Sequence, residues 1–188
     1  MKRFSMSILL ASFCLLCCDV LFAQSEQDSA TDVVPDDWVM LTGEYCSIWH
    51  PPDWAVDTSG AIGTSFVLFA PADDEDNGFR TNINLILQNV AAFNLSLDQY
   101  VELSEEQIAD IVNEANLLES NRATDEQGEY HILLYTGKQQ QSTLRFLQHY
   151  RLVGDFAYVL TLTCQEDEPD QYREIGERIM RTLEVHTP

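Results

Sequence analysis

Residues 81–112, "TNINLILQNVAAFNLSLDQYVELSEEQIADIV", change their period partway along. In the first part Ile83, Leu85 and Leu87 alternate with Asn82, Asn84 and Gln88. That is the period of two expected of a strand with one face on a core. From Ser96 the spacing becomes helical. Tyr100, Leu103, Ile108, Ile111 and Val112 form an apolar stripe, and Glu102, Glu105, Glu106 and Asp110 face water. Ser96 with Gln99 three residues later is a capping-box pattern, which satisfies the open N–H groups of a first helical turn. The spacing predicts a strand over 81–90 and a helix over 97–115.

On either side the strand signals continue. "EYCSIWH" (44–50) alternates and is stopped by Pro51-Pro52, with Trp54 in the turn. "TSFVLFAP" (64–71) is rich in β-branched and aromatic residues and is stopped by Pro71. Beyond the helix, strands are expected over 117–124, 129–137, 142–153 and 156–164. Gly137-Lys138 is read as a turn and Gly154-Asp155 as a tight hairpin. Pro169 introduces a last helix over 170–185, with Tyr172, Ile175, Ile179 and Leu183 on its inward stripe. Three strands, a helix, four strands and a helix define an α+β fold. It is a mostly antiparallel sheet of about six to seven strands with two amphipathic helices packed on it.

The N-terminus reads as an export signal. Lys2 and Arg3 precede an apolar run ending at Ala23, which is interrupted by Asp19 and too short for a span of about 20 residues. Residues 1–23 are expected to be a signal peptide, 24–37 an acidic flexible linker, and 38–188 a single domain. The expected destination is secreted or periplasmic. Cys14, Cys17 and Cys18 follow Phe13, Leu16 and Cys17, not the small residue a lipidation cysteine takes, so a lipid anchor fits less well. An uncleaved anchor is the remaining alternative.

The chain has 31 acidic against 10 basic residues, a net charge of −21. Loss of Lys2, Arg3 and Asp19 with the signal takes it to −22. Such a surface repels phosphate backbones and anionic lipid, which argues against nucleic acid or a membrane surface as partner. It leaves a solvated acidic exterior, or a basic protein or a cation as the complement.

Chemistry is sparse. Cys46 and His50 share a strand face but lie roughly 13 Å apart along it, too far to act together. The G-x-S-x-G elbow is absent, and His131 and His149 have no marked nucleophile. Two distant cysteines and four scattered histidines make no zinc set. The loop "DDEDNG" (73–78) resembles the start of a calcium loop, with Asp73, Glu75 and Asn77 as candidate ligands. Its twelfth position is Asn84, not a bidentate Glu. An acidic hairpin loop with an Asn-Gly turn is the competing reading. Trp49, Trp54, Tyr45 and Phe66 either line a ligand pocket or fill the core. Cys46 and Cys164, which alone remain after signal cleavage, are a candidate disulfide in an oxidising compartment. Asn94-Leu95-Ser96 is a glycosylation sequon whose serine is already explained as a helix cap.

The order of phrases "YCSIWHPPDW", "FVLFAP", "INLILQNV", "SLDQYVELS", "GDFAYVLTLTC" and "IMRTLEV", spanning roughly 43–185, resembles the PsbP-like and DcrB-like α/β sandwiches. These are the folds of the photosystem II extrinsic P subunit and of DcrB-like bacterial lipoproteins. The resemblance implies an exported, non-enzymatic accessory or binding domain without a cofactor, whose partner is a protein or a cell-envelope component. No catalytic residues carry over from it. The alternative is a cation- or small-ligand-binding protein using loop 73–78 or the aromatic cluster near Trp49 and Trp54.

Overall fold

The computed structural model describes residues 34–72, 79–139, 141–166 and 170–186. The chain divides after Thr31, and the unit Asp32–Pro188 holds all of these. Its elements are β1 (Val39–Thr42), β2 (Cys46–His50), β3 (Ala55–Asp57), β4 (Phe66–Phe69), β5 (Asn82–Asn89), α1 (Leu97–Ile111), β6 (Asn113–Asp125), β7 (Gly128–Gln139), β8 (Ser142–Val153), β9 (Phe156–Gln165), α2 (Asp170–Arg181) and β10 (Glu184–Val185). A seven-stranded sheet has the order β3-β4-β5-β9-β8-β7-β6, and a second sheet the order β1-β2-β10. All pairings are antiparallel. The expected α+β class and both helices hold.

The period of two in β5 sorts the core. Ile83, Leu85 and Leu87 stand opposite Leu162, Leu160 and Tyr158 of β9. Those six pack with Ile48 of β2 and with Ile179 and Met180 of α2. Ile86 and its partner Val159 face the other way, toward Tyr100 and Val101 of α1. The large sheet is therefore covered on both faces, and β9, lying at its centre, is buried at eight consecutive positions. Its nearly unbroken apolar run follows from having no face in water. The helix α2 reaches β9 through Gly176. A Cβ there would lie 2.7 Å from Leu162 Cδ1, so only glycine allows this approach.

Four expectations change. First, α1 ends at Ile111, not at 115. Val112 is its extended C-cap and Glu114, at φ 51°, turns the chain directly into β6. Residues 113 and 116 are used instead to pair with Lys138 and Thr136 of β7. Second, Gly137-Lys138 is no turn but lies inside β7, where Gly137 pairs with Leu144. Glycine is required there because a Cβ would collide with Val112. Third, the buried side of α1 is Tyr100, Val101 and Ile108, whereas Leu103 and Ile111 are exposed. Fourth, β1, β3 and β10 are additional short strands, and the last was read as the end of α2. Short strands carry too few residues for a period to register, and β10 exists only because β2 accepts it at Ser47 and Cys46.

Ser96 caps α1 as its spacing requires. Its hydroxyl accepts from Gln99 N–H, and the Gln99 side chain accepts from Ser96 N–H at 2.9 Å. The Gly154-Asp155 turn joins β8 to β9 with Gly154 at φ 57°. No helix among the described residues is long and apolar enough to cross a membrane.

Candidate functional site

The most chemically varied region lies where the β6–β7 hairpin meets the C-terminus of α2 and β10. A cavity of about 640 Å³ opens there, lined among others by Trp49, Asp125, Gln127, Arg181, Glu184 and His186. The antiparallel pairing of β8 with β9 places Arg151 beside Tyr158, on the sheet face toward α2. Arg151 is only 8% exposed. Its guanidinium donates to Asp125 Oδ2 at 2.5 Å and to the Gly128 carbonyl at 3.2 Å, and lies 5.0 Å from the Tyr130 ring centre. A buried cation needs such partners, because desolvation without them would cost several kcal/mol. Next to it, His149 packs its ring 5.2 Å from Tyr130. Burial, reinforced by Arg151 and Arg181, pushes its pKa down to about 4, so it is neutral at pH 7.

Gln127 closes one edge of this cavity. Its amide donates to the Leu183 carbonyl at 2.7 Å, and its side-chain oxygen accepts from Val185 N–H at 2.7 Å. The side chain thus imitates one residue of a neighbouring strand. Thr182 performs a similar tie, accepting from Trp49 N–H at 2.9 Å.

Two serine–histidine contacts bear on catalysis. Ser120 Oγ lies 2.7 Å from Glu105 Oε1 and 2.9 Å from His131 Nε2. A hydroxyl has one proton, and the carboxylate can only accept it. His131 must then donate from Nε2, so it is no base toward Ser120. Its Nδ1 is buried without a partner, and burial together with Arg122 lowers its pKa. Ser47 Oγ lies 3.3 Å from His186 Nε2 and 3.5 Å from Glu184 Oε2. Both partners converge on the hydroxyl, so the carboxylate does not orient the imidazole as a triad acid would. Ser47 pairs with Glu184 in the β2–β10 ladder, and the contact ties these strands together.

The residues singled out from the sequence are dispersed. Cys46 lies on β2 in the small sheet and Cys164 on β9 in the large one. No bridge joins these buried thiols. β2 is flanked by β1 and β10, and β9 by β5 and β8, so the two cysteines do not lie on paired strands. Burial pushes the Cys46 thiol up to about 11. His50 Nδ1 lies 2.8 Å from the Pro51 carbonyl. The aromatic cluster divides. Trp54 is core at 3% exposure, Trp49 borders the large cavity, and Tyr45 and Phe66 line a separate cleft of about 470 Å³ with Cys46 and Leu87. Asp73, Glu75 and Asn77 lie outside the described residues. Among the described residues no three His, Cys, Asp or Glu side chains gather as a metal site would need. Arg151 and Gln127 were not singled out from the sequence. The arginine sits inside a strand otherwise apolar at Leu147, Tyr150 and Leu152, which is the one signal that could have marked it.

An antiparallel sheet covered by one helix on each face, with a small accessory sheet beside α2, defines an α+β sandwich of the PsbP-like and DcrB-like fold. Solved structures share it. Cyanobacterial PsbP (CyanoP) from Synechocystis sp. PCC 6803 superposes with TM-score 0.60 and 14% identity, over 82% of this chain and 95% of that one. LpqN, involved in cell envelope biogenesis of Mycobacterium tuberculosis, gives 0.56 and 11%, over 80% and 91%. The Ran-binding protein Mog1p of Saccharomyces cerevisiae gives 0.54 and 15%, over 79% and 94%. No protein-family model and no curated protein matches the sequence.

Proposed function

We propose that this protein is an exported, non-enzymatic accessory or binding protein of the cell envelope, which acts by engaging another protein. One observation carries the reading. The polar groups that could have formed a reactive centre are engaged in holding the fold together: Arg151 on Asp125, Ser120 on Glu105, Ser47 between Glu184 and His186. The export signal read over residues 1–23, the net charge of −21 and the fold shared with an envelope-biogenesis protein and a Ran-binding protein support it. The test is cell fractionation combined with photo-crosslinking from surface positions, followed by identification of the captured protein. An extracytoplasmic protein with a reproducible protein crosslink is expected. A cytoplasmic protein with no crosslinked partner would overturn the proposal.

A second reading, small-ligand or cation binding, rests on the 640 Å³ cavity beside Trp49 and on the acidic residues Asp73, Glu75 and Asn77. Titration with calcium, followed by melting temperature, tests the cation form. Absence of both heat and stabilisation at millimolar ion would remove it.

A further inference from the structure

We infer that the outer side of α1 and the adjoining start of β6 form a docking surface for a basic, aliphatic segment of another protein. Four large aliphatic side chains are exposed on these two consecutive elements: Leu103, Ile111, Leu117 and Leu118, with Ile111 77% exposed. Ile111, Leu117 and Leu118 lie near the C-terminal end of α1, and Leu103 about two turns before it. Val112, which follows Ile111, lies against Gly137 of β7, and Tyr135, on the same face as Gly137, pairs with Leu117. The ladder slips between Leu117 and Glu119, and the extra residue is Leu118. An exposed edge strand normally presents charge at such a place, whereas here two consecutive leucines stand in water.

The chemistry of the partner follows from the surrounding charge. Within Leu97–Ile111 there are five carboxylates, Asp98, Glu102, Glu105, Glu106 and Asp110, and no Lys or Arg. Asp98 is bound by Arg122, and Glu105 accepts from Ser120. Glu102, Glu106 and Asp110, spaced four apart, have no ion pair among the described residues. Like charges at that spacing destabilise a helix, and Asp110 stands at the negative end of its dipole. A cationic segment would relieve both. Another copy of this chain would add to the repulsion, and nucleic acid or anionic lipid would be repelled. The occupant is therefore a Lys- or Arg-rich segment whose aliphatic side chains cover Ile111, Leu117 and Leu118.

The inference deepens the binding-protein reading and rests on it. Its test uses the full chain with a fluorescent peptide carrying Lys and Leu at helical spacing. A scrambled peptide of equal composition and a Glu-for-Lys peptide serve as controls. The amphipathic peptide is expected to bind, more weakly as salt rises, with amide shifts confined to α1, β6 and their neighbours. Ile111→Ser and Leu117→Ser should each weaken it by about tenfold, as truncation at the centre of an interface does. The double change Glu106→Lys with Asp110→Lys should transfer preference to the acidic peptide. Circular dichroism on each variant checks folding, and Ile111→Ser lies outside the sheet. Equal binding of the scrambled peptide, unchanged affinity of the serine variants, or shifts on another face would overturn the docking surface. A partner crosslinked elsewhere would leave the binding-protein reading standing and remove only this inference.

Discussion

Gln127 and Val185 are joined by a hydrogen bond of 2.7 Å from the Val185 N–H to the Gln127 side-chain oxygen, across 58 positions of sequence. With the bond from its amide to Leu183, one side chain fastens the β6–β7 hairpin to β10. Gln127→Ala is expected to cost about 1 kcal/mol in urea denaturation. It should also speed hydrogen exchange at Val185. Gln127→Glu should cost more, because it loses the donor to Leu183 and adds a negative charge in a cavity shared with Glu184. Unchanged exchange at Val185 in both variants would refute the tie.

Arg151 and Asp125 form an ion pair with the arginine buried and the aspartate 41% exposed. Asp125→Asn leaves the guanidinium buried with its carbonyl and ring partners but no counter-charge. Because the carboxylate is partly in water and screened, a loss of about 1–2 kcal/mol is expected. Arg151→Met combined with Asp125→Asn should cost less than the two single changes added together, since the residues are in contact. Additive losses would show the pair to be uncoupled.

His149 makes stability depend on pH. Its folded pKa of about 4 lies below the ordinary histidine value of 6.5, so between those values the unfolded chain binds more protons than the folded one. Stability is then full above pH 6.5 and falls as the pH drops toward 4, by about 3 kcal/mol at most. His131, also lowered, acts in the same direction. His149→Gln should flatten the slope of unfolding free energy between pH 6.5 and 4. A slope identical to that of the unaltered protein would contradict a buried neutral imidazole.

Cys46 should resist alkylation in the folded protein at neutral pH, because burial pushes its thiol to about 11 and the thiolate is the reactive form. In denaturant without reductant, Cys46 and Cys164 should both react. Peptide mapping that found them linked would overturn their assignment as thiols.

Gly176→Ala places a methyl against Leu162 in a core where Leu162 is 1% exposed. Overpacking of this kind costs about 1–3 kcal/mol. Leu162→Ala, itself destabilising, should cost less in the Gly176→Ala background than alone. Thermal melts of the four variants in the cycle decide it.

The legible part of this protein was the part governed by local rules. The alternation of Ile83, Leu85 and Leu87, the Ser96–Gln99 cap and the Gly154-Asp155 turn are short-range patterns, and each reappears in the fold. The sequence by itself therefore determined the α+β class, the two helices, the long hairpins and the acidic exterior. Only tertiary structure decided where α1 stops, since Val112 is placed by Gly137, a residue 25 positions away. The same holds for β10, which is a strand because β2 offers it an edge, and for Arg151, whose charge is tolerable only beside Asp125 and Tyr130. It holds too for the two cysteines, which are placed in different sheets as free, buried thiols. Periodicity reports which side of an element is apolar. What lies against that side depends on contacts between distant residues, and these set the candidate sites.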